Sequence, residues 1–300
     1  MVGLGRMGGN MARRMARGGH RVVACDPDER ARRALDDEPG VETSASLAEA
    51  VALLTTPRVV WIMLPAGAVT DGVLAQLGDL LQPGDLVVDG GNANYHDSQQ
   101  RSTVLAEHDL RFVDAGVSGG VWGLSEGYGL MVGGHEDDVA RVSPVLRTLA
   151  PSPDSGWVHV GPVGAGHFAK MVHNGIEYGL MQAYAEGFAM LHARDDLVGD
   201  VGAVAEAWRE GTVIRSWLLD LAAGVLGHDQ SLGDVAPVVA DSGEGRWTVH
   251  EAVDLGVPIP VITAALYERF GSQGNSDYGD QLLAKLRQAF GGHPVLPPKG

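Results

Sequence analysis

The sequence contains few of the features that place a protein in a membrane, in an oxidising compartment or on nucleic acid. Cys25 is the only cysteine among 300 residues, so no disulfide can form within the chain, and a reducing cytoplasm is the expected location. No apolar run approaches the roughly 18–20 residues that a membrane span requires. The formal net charge of −16 argues against nucleic acid and anionic membranes as partners. It is compatible with a small anionic ligand, because arginines and helix N-termini form local positive sites.

Lysine is also scarce, and one of the three lysines stands in an unusual place. Lys285 and Lys299 lie near the C-terminus, whereas Lys170 lies within an apolar helical stretch. Residues at i, i+3, i+4, i+7 and i+8 share one face of a helix. We interpret that face as a site of chemistry; the alternative is a solvated face on which Lys170 and Glu177 are merely neighbours. Its members are Lys170, His173, Asn174, Glu177 and Tyr178.

The N-terminus carries the glycine pattern of a dinucleotide site, G-x-G-x-x-G, between a predicted strand and a predicted helix. These glycines permit a tight turn, close approach of a pyrophosphate and close helix packing, and the helix N-terminus binds the anion. Only two residues precede the first glycine, so we expect a very short first strand and a few missing N-terminal residues. The predicted coenzyme contacts in this segment are Gly3, Leu4, Gly5, Arg6, Met7 and Gly8.

Asp26 ends the second predicted strand, 21–25, and two roles are open for it. As the acid after the second strand of a dinucleotide-binding unit, it would accept hydrogen bonds from the adenosine ribose and repel a 2′-phosphate. Alternatively, Asp26 caps a helix, because Pro27 and Glu29 follow it in a capping-box pattern. The first role favours NAD over NADP.

Further apolar segments alternate with predicted helices and end in glycine-rich turns. This alternation predicts an α/β fold, with a doubly wound, Rossmann-like sheet in a coenzyme-binding domain over 1–162. Ligands bind such sheets beyond the carboxyl ends of the strands, although residues there are also typical of ordinary turns. The predicted strands are 59–64, 86–89, 112–117, 130–134 and 157–160. At their ends Met63, Leu64, Pro65 and Asn92 are predicted coenzyme contacts, and Ser118, Gly119 and Gly120 are further candidate ligand contacts.

From about residue 163 the strand patterns stop and helical patterns follow. We predict an all-helical C-terminal domain over 163–300, expected to bind the substrate and to dimerise. Its predicted helices are 164–193, 200–210, 214–225, 247–254, 258–271 and 276–290.

Four blocks of the sequence resemble decarboxylating 6-phosphogluconate dehydrogenase in its short form. They are 3–8, 89–92, 116–120 and 164–178, and the similarity runs nearly from end to end. The related β-hydroxyacid dehydrogenases share the glycine pattern, the S-G-G loop and the catalytic lysine. They typically have Asn-Asn where this chain has His173 and Asn174 followed by Glu177.

The resemblance implies oxidative decarboxylation of 6-phosphogluconate to ribulose 5-phosphate and CO2, a step of the pentose phosphate pathway. In the implied mechanism Lys170 takes the proton of the 3-hydroxyl while hydride leaves C3 for the coenzyme. After CO2 is lost, Lys170 returns a proton to the ketone oxygen, and Glu177 protonates C1 of the enediol. Such a lysine must be partly neutral near pH 7, which requires apolar burial or a nearby cation. The implied substrate contacts are Asn92, Ser118, Gly119, Gly120, His173 and Asn174, with Tyr178 at the phosphate.

The C-terminal segment resembles the tail of the long form, in which an arginine and a histidine six residues later reach into the partner subunit's site. Arg287 and His293 keep both residue types and the spacing, and Arg269 lies on the preceding helix. A planar guanidinium suits phosphate oxygens, so Arg269 and Arg287 are the expected phosphate clamp. The resemblance implies a homodimer with sites completed in trans; a solvated helix end is the alternative, and a tetramer is left open.

NAD is the expected coenzyme, because Asp26 and Pro27 stand where NADP-using members carry an arginine. NADP and a deazaflavin (coenzyme F420) are alternative hydride acceptors. The long form has a lysine-rich glycine loop where this chain has 242–247, so the role of that segment is left open.

Other classes of function compete with this interpretation. The nearest is a β-hydroxyacid dehydrogenase that acts on a small unphosphorylated substrate without decarboxylation; arginines for a distal phosphate argue against it. A non-enzymatic dinucleotide sensor would not need Lys170 and Glu177 together. A metal enzyme would use His173 and Glu177 as ligands at i and i+4, but no third ligand at suitable spacing is evident, so no metal is predicted.

Overall fold

The structure is a computed structural model that describes residues 1–291 and 294–296. It divides into two compact units, Met1–Val172 and His173–Gly300, and the division falls inside one long helix. The first unit is built on a β-sheet, and the described part of the second consists of helices.

Seven strands form the sheet of the first unit: β1 (Val22–Cys25), β2 (Val41–Ser44), β3 (Val59–Ile62), β4 (Leu86–Asp89), β5 (Arg111–Ser118), β6 (Gly129–Gly134) and β7 (Trp157–Gly161). β1 pairs in parallel with β2, and the other strands pair in the order β3-β4-β5-β6-β7. Only β5 and β6 run antiparallel to each other among these described strands.

The residues before the first glycine join the two groups of strands. Val2 forms parallel bridges with Cys25 of β1 and with Ile62 of β3. Its N–H donates to the Trp61 carbonyl at 2.8 Å, and its carbonyl accepts from the Met63 N–H at 2.8 Å. Val2 therefore occupies the place of a first strand in the centre of the sheet, and the prediction of a very short first strand is confirmed.

Helices pack on both faces of this sheet. Successive residues of β4 point to opposite faces: Val88 lies in a core with Met11, and Val87 lies in a second core with Leu77 and Leu105. Both faces of the parallel strands are therefore buried, as expected for a doubly wound sheet. The helices are α1 (Arg6–Arg17), α2 (Glu29–Arg33), α3 (Leu47–Ala52), α4 (Ala68–Leu80), α5 (Tyr95–Ala106), α6 (Gly123–Glu126) and α7 (Glu136–Leu149), with a 3₁₀ turn at Gly120–Trp122.

The second unit is helical, as predicted. One of its cores contains Phe188 and Leu219, and another contains Tyr178 and Leu266. Within residues 1–291 and 294–296, no helix combines the length and the apolar character needed to cross a membrane. The remaining helices are α8 (Ala165–His192), α9 (Val201–Arg209), α10 (Trp217–His228), α11 (Glu244–Leu255), α12 (Pro260–Ser272) and α13 (Asp277–Gly291).

The fold class is confirmed, and some elements differ from the prediction. The sequence patterns did not predict β2, α5 or α7; α5 is largely polar, and α7 contains Pro144. β3 ends at Ile62, so Met63 and Leu64 lie in the loop that follows. α11 begins at Glu244, about one turn before the predicted start, because Gly243 ends the preceding loop.

Candidate active site

The glycine loop after Val2 lies against the end of β3. Gly3 has φ +87°, and a Cβ there would lie 2.5 Å from the Met63 carbonyl oxygen. A Cβ on Gly8 would overlap the Gly3 carbonyl, whereas one on Gly5 would meet nothing within 4 Å. The outer glycines are thus required by packing, and the space above Gly5 is open to a ligand. α1 begins at Arg6 with no acid in its first turn, which suits a pyrophosphate.

Asp26 binds the glycine loop directly. Its Oδ2 accepts the Leu4 N–H at 2.7 Å, and its Oδ1 accepts the Asp28 N–H at 2.8 Å. The N-cap of α2 is Asp28, which accepts the Arg30 N–H at 2.9 Å, so the capping interpretation of Asp26 is wrong. Each carboxylate oxygen has a second lone pair and can accept another hydrogen bond, for example from a ribose hydroxyl. The contact of Asp26 with a ribose stays a prediction.

A cavity of about 340 Å³ adjoins the glycine loop. It lies between the first turns of α1 and the C-terminal part of α2, where Ala31, Ala34 and Leu35 line it. Its lining includes Leu4, Gly5, Arg6, Asn10, Arg13 and Val121.

Met63, Leu64 and Asn92 lie at adjacent strand ends. Met63 and Leu64 contact the glycine loop at Gly3, and Pro65 accepts a hydrogen bond from the Thr70 hydroxyl at 2.9 Å. Asn92 is exposed in the loop after β4. The base of that loop is fixed by Asp89, which is buried, accepts the Gly91 N–H at 3.1 Å and pairs with Arg101 at 3.1 Å.

The S-G-G loop, residues 118–120, follows β5 and is braced by a buried tyrosine. A Cβ on Gly119 would lie 3.1 Å from the Tyr128 ring, and one on Gly123 would overlap that ring. Burial raises the pKa of Tyr128 to about 12, and its hydroxyl has no hydrogen-bond partner in the described part of the chain. A Cβ on Gly120 would meet nothing within 4 Å, so this end of the loop is open.

Lys170 is held against β5 by contacts with backbone. The fully buried Asp114 accepts the N–H groups of Gly164 and His167, at 2.6 and 2.8 Å, at the start of α8. A Cβ on Gly116 would overlap the Lys170 Cβ and lie 2.8 Å from the Gly166 carbonyl. The half-buried Lys170 therefore lies beside Gly116. Gly116 is two residues before Ser118, so these two residues lie on the same face of β5.

Gly166 and His167 complete this anchor. A Cβ on Gly166 would lie 2.5 Å from the Met131 carbonyl of β6, so the first turn of α8 rests directly on two strands. The buried His167 ring contacts the Ser98 hydroxyl through Nδ1 at 2.6 Å. Its Nε2 finds no partner among the residues that the structure describes.

The second unit holds the next residues of α8 by side-chain contacts. His173 Nδ1 lies 2.9 Å from Asn174 Oδ1 and 4.0 Å from Glu177 Oε2. The Asn174 amide, which is buried, donates to the buried carboxylate of Glu244. Ser242 donates to the other oxygen of Glu244 at 2.6 Å. The predicted chemical face is thus partly the buried face, whereas Ile176 beside it is 52% exposed.

Tyr178 and Arg269, both predicted at the phosphate, are in contact. The Arg269 guanidinium lies 3.5 Å from the centre of the Tyr178 ring, and its Nη1 donates to the Ala240 carbonyl at 2.9 Å. The Tyr178 hydroxyl lies 3.2 Å from the Ser242 hydroxyl. Arg287 is exposed on α13, and His293 lies outside the described residues.

Sequence patterns missed several residues of these networks. Asp114 lies inside an apolar strand, and Asp241 and Glu244 lie in a segment whose polar composition is typical of a loop. Burial opposes ionisation of Asp241, yet Arg246 and the Gly243 N–H hold its pKa below the usual range. The one sequence signal for Glu244 was its position directly after a glycine, and the predicted helix start at 247 left it outside the helix.

No group of three metal-ligating side chains occurs in 1–291 or 294–296. His173 and Glu177 therefore have no third ligand within those ranges.

Two family models match the chain. The first is the NAD binding domain of 6-phosphogluconate dehydrogenase, over residues 1–161; the second is the 6-phosphogluconate dehydrogenase C-terminal domain, over 166–288. A relative from Haloferax volcanii, an NAD(+)-dependent, decarboxylating 6-phosphogluconate dehydrogenase, is 42% identical over 297 residues. That match covers 98% of this chain and 97% of the relative.

Solved structures give the same fold. The 6-phosphogluconate dehydrogenase of Plasmodium falciparum is similar with a TM-score of 0.82 and 26% identity; the match covers 99% of this chain and 65% of that longer chain. A 3-hydroxyisobutyrate dehydrogenase of Mycobacterium tuberculosis is 24% identical, with a TM-score of 0.71 over 92% of each chain, and this likeness concerns the fold alone.

The four sequence blocks lie at strand ends or on α8, and both family models derive from the same enzyme. With 42% identity to a relative of nearly equal length, these matches show that the chain is an enzyme of the 6-phosphogluconate dehydrogenase family.

Proposed function

We propose that this protein catalyses the oxidative decarboxylation of 6-phosphogluconate to ribulose 5-phosphate and CO2, with NAD as hydride acceptor, in the cytoplasmic pentose phosphate pathway. The observation that carries the proposal is the placement of Lys170, which lies beside Gly116 of β5, the residue two positions before Ser118. The NAD(+)-dependent, decarboxylating activity of the Haloferax volcanii relative supports the reaction and the coenzyme.

In this mechanism Lys170 is the general base and later the general acid. It removes the proton of the 3-hydroxyl as C3 is oxidised, and it returns that proton to the ketone oxygen as the carboxyl group leaves as CO2. Electrons from the broken C1–C2 bond pass into the enediol, and Glu177 delivers a proton to the carbon that lost the carboxylate. General acid and base catalysis of this kind contributes roughly 10²–10⁴-fold in rate.

The coenzyme supplies a hydride acceptor when it is bound. In this chain the open space above Gly5 and the first turn of α1 would hold its pyrophosphate, and Asp26 would accept its ribose hydroxyls. The Asp26 carboxylate also disfavours a 2′-phosphate. Asp26→Ser should therefore lower the ratio of kcat/KM for NAD to kcat/KM for NADP. An unchanged ratio would mean that Asp26 only holds the glycine loop and does not select the coenzyme.

The sugar-acid substrate would be bound by one group of residues at its carboxylate and hydroxyls and by another group at its phosphate. Asn92, Ser118 and the N–H groups of Gly119 and Gly120 would bind its carboxylate and hydroxyls, together with His173 and Asn174. Tyr178, Arg269 and Arg287 would bind its phosphate. Nη1 of Arg269 donates to the Ala240 carbonyl and Nη2 to the Met181 sulfur at 4.0 Å, so the N–H groups that these two contacts do not use would bind the phosphate.

We also propose a homodimer in which Arg287 and His293 of each chain complete the partner's site. The support is a row of exposed apolar side chains on α13 at intervals of four residues: Tyr278, Leu282 and Leu286 are 80%, 48% and 51% exposed. Such a row is typical of a helix that packs against another helix.

The domain limits proposed are 1–162 and 163–300, which the family matches over 1–161 and 166–288 support.

Mixed dimers test completion of the site in trans. Lys170→Met and Arg287→Ala should each abolish or nearly abolish turnover, and the two variants should regain activity when they are unfolded and refolded together. No recovery in a mixture with exchanged subunits would mean that Arg287 does not act in the partner's site.

The function itself is tested by Lys170→Met. Turnover of 6-phosphogluconate should fall by at least roughly 10²–10⁴-fold while coenzyme binding is kept. Arg147→Met is the control, because Arg147 is an exposed cation on α7 that pairs with the exposed Asp154 at 3.8 Å. Residual activity of Lys170→Met above about a tenth of wild type would exclude Lys170 as the general base.

A further inference from the structure

Glu244 is a buried carboxylate that the proposed mechanism does not use. Only 5% of it is exposed, and it stands in the first turn of α11, where the helix N-terminus favours negative charge. Its Oε2 accepts the Ser242 hydroxyl at 2.6 Å, and its Oε1 accepts the Asn174 side-chain amide. A buried charge with two directed partners fixes the orientation of those partners.

The backbone brings this carboxylate close to α8. A Cβ on Gly175 would lie 2.7 Å from Thr248 Cγ2, and a Cβ on Gly245 would lie 2.5 Å from the Tyr178 ring. Two glycines, one on each helix, therefore allow the start of α11 to approach α8. The contact between Glu244 and Asn174 is part of this packing.

The contact determines which way the Asn174 amide points. A carboxylate accepts hydrogen bonds and cannot donate them, so the NH2 group of Asn174 must face Glu244. The Asn174 carbonyl oxygen then faces His173, and Oδ1 lies 2.9 Å from Nδ1. Asn174 is only 8% exposed, so little solvent competes for these two contacts.

The orientation of Asn174 in turn determines the tautomer of His173. Its Oδ1 can only accept, so Nδ1 of the imidazole must carry the proton. In neutral imidazole Nε2 is then an acceptor. The His173 side chain is 43% exposed, so Nε2 can be reached by a ligand.

We propose that Glu244 is a positioning residue: through Asn174 it keeps the proton of His173 on Nδ1, so that Nε2 accepts a hydrogen bond from a substrate hydroxyl. The identity of the substrate, a sugar acid rich in hydroxyl groups, rests on the proposed function. The tautomer does not, because it is set by contacts within the protein. A substrate that offers an acceptor instead of a hydroxyl at this point would be bound less well.

The test is the ¹⁵N NMR spectrum of the histidine side chains in the full-length protein, recorded at a pH where the imidazole is neutral. His173→Gln assigns the His173 signals. We expect a protonated Nδ1 and an unprotonated Nε2 in wild type. A protonated Nε2 in wild type would overturn the inference, whatever the enzymatic activity.

Glu244→Gln is the test of cause. Glutamine can present either its oxygen or its NH2 to Asn174, so the amide is no longer oriented and His173 should become a mixture of tautomers. kcat/KM should fall roughly 10–100-fold, the loss that follows when the partner orienting a metal-bound histidine is removed. Glu268→Gln, the same change at an exposed position of α12, should alter neither quantity.

The outcomes separate this inference from the proposed function. A changed tautomer in Glu244→Gln supports the positioning role even if 6-phosphogluconate is not the substrate. Lost activity with an unchanged tautomer would overturn it, since Glu244 would then act by another route.

Discussion

The two units hold successive turns of α8 in different ways. The first unit holds Lys170 through backbone: Asp114 binds N–H groups, and Gly116 and Gly166 let the helix touch two strands. The second unit also uses close glycine packing, at Gly175 and Gly245, but it orients Asn174 and the Tyr178 hydroxyl through side chains of residues 241–246. Backbone packing depends on the absence of a Cβ and is sensitive to any added atom. A side-chain network depends on donors and acceptors, so it is disturbed by substitutions that remove or exchange a hydrogen-bonding group.

The largest effect is expected from an added methyl group in the first unit. In Gly116→Ala the new Cβ would overlap Lys170 and approach the Gly166 carbonyl at 2.8 Å, so α8 must move away from β5. A displacement of about 1 Å at a catalytic group costs about 10²-fold in rate. Steady-state kcat with 6-phosphogluconate is the measurement.

Gly72→Ala is the control for this prediction. Gly72 lies within α4, and a Cβ there would meet nothing within 4 Å. The change should leave kcat unaltered and stabilise the protein by about 0.5–1 kcal/mol, because alanine favours the helix. An equal loss of activity in both variants would contradict the role of backbone contact at Gly116.

An intermediate effect is expected at Asp114, the carboxylate that binds the start of α8. Asparagine has one acceptor oxygen, so Asp114→Asn leaves one of the two buried N–H groups without its partner. The free energy of unfolding should fall by about 1–3 kcal/mol. Chemical denaturation at several pH values measures it.

The pH dependence at Asp114 has a definite sign. Burial raises the pKa of Asp114, although the nearby His167 and the N–H groups of His167 and Gly164 oppose the rise. A raised folded-state pKa contributes stability that is fully present below the unfolded-state pKa of about 3.9 and is lost as the pH rises through the folded-state value. The stability difference between wild type and Asp114→Asn should therefore decrease across that window. A difference that grows with pH would contradict the raised pKa.

The smallest effects come from two buried tyrosines, one in each unit. Tyr128→Phe removes a buried hydroxyl for which the described residues provide no partner, so the free energy of unfolding should not fall. Tyr178→Phe removes a contact with Ser242 at 3.2 Å and should cost about 0.5–1.5 kcal/mol. If both substitutions changed the midpoint of thermal unfolding equally, the Tyr178 hydroxyl would contribute no more to stability than the Tyr128 hydroxyl.

The first unit was the more predictable of the two. Strands that end in glycine predicted the sheet and the edge where Met63, Asn92 and Ser118 lie, because parallel strands place their carboxyl ends together. The sequence left two roles open for Asp26, and the alternative in which it caps a helix is wrong because Asp28 caps α2. The helix α7 was hidden by its internal Pro144, although Val139 and Leu146 are buried on one face.

The second unit was predictable in its helices but not in its network. Lys170, Asn174 and Tyr178 were selected because their spacing places them on one helical face. Glu244 was not, because a glutamate between glycines is ordinarily exposed, and its burial depends on a helix about 70 residues earlier in the chain. Contacts of that kind are fixed by tertiary packing, which local patterns do not record.

The most direct measurement follows both products of one reaction. 6-Phosphogluconate labelled in its carboxyl group is supplied with NAD, and NADH and labelled CO2 are quantified over the same interval. We predict one CO2 for each NADH, a lower rate with NADP, and neither product from Lys170→Met. Formation of NADH without CO2, or turnover only with a deazaflavin, would contradict the proposed reaction.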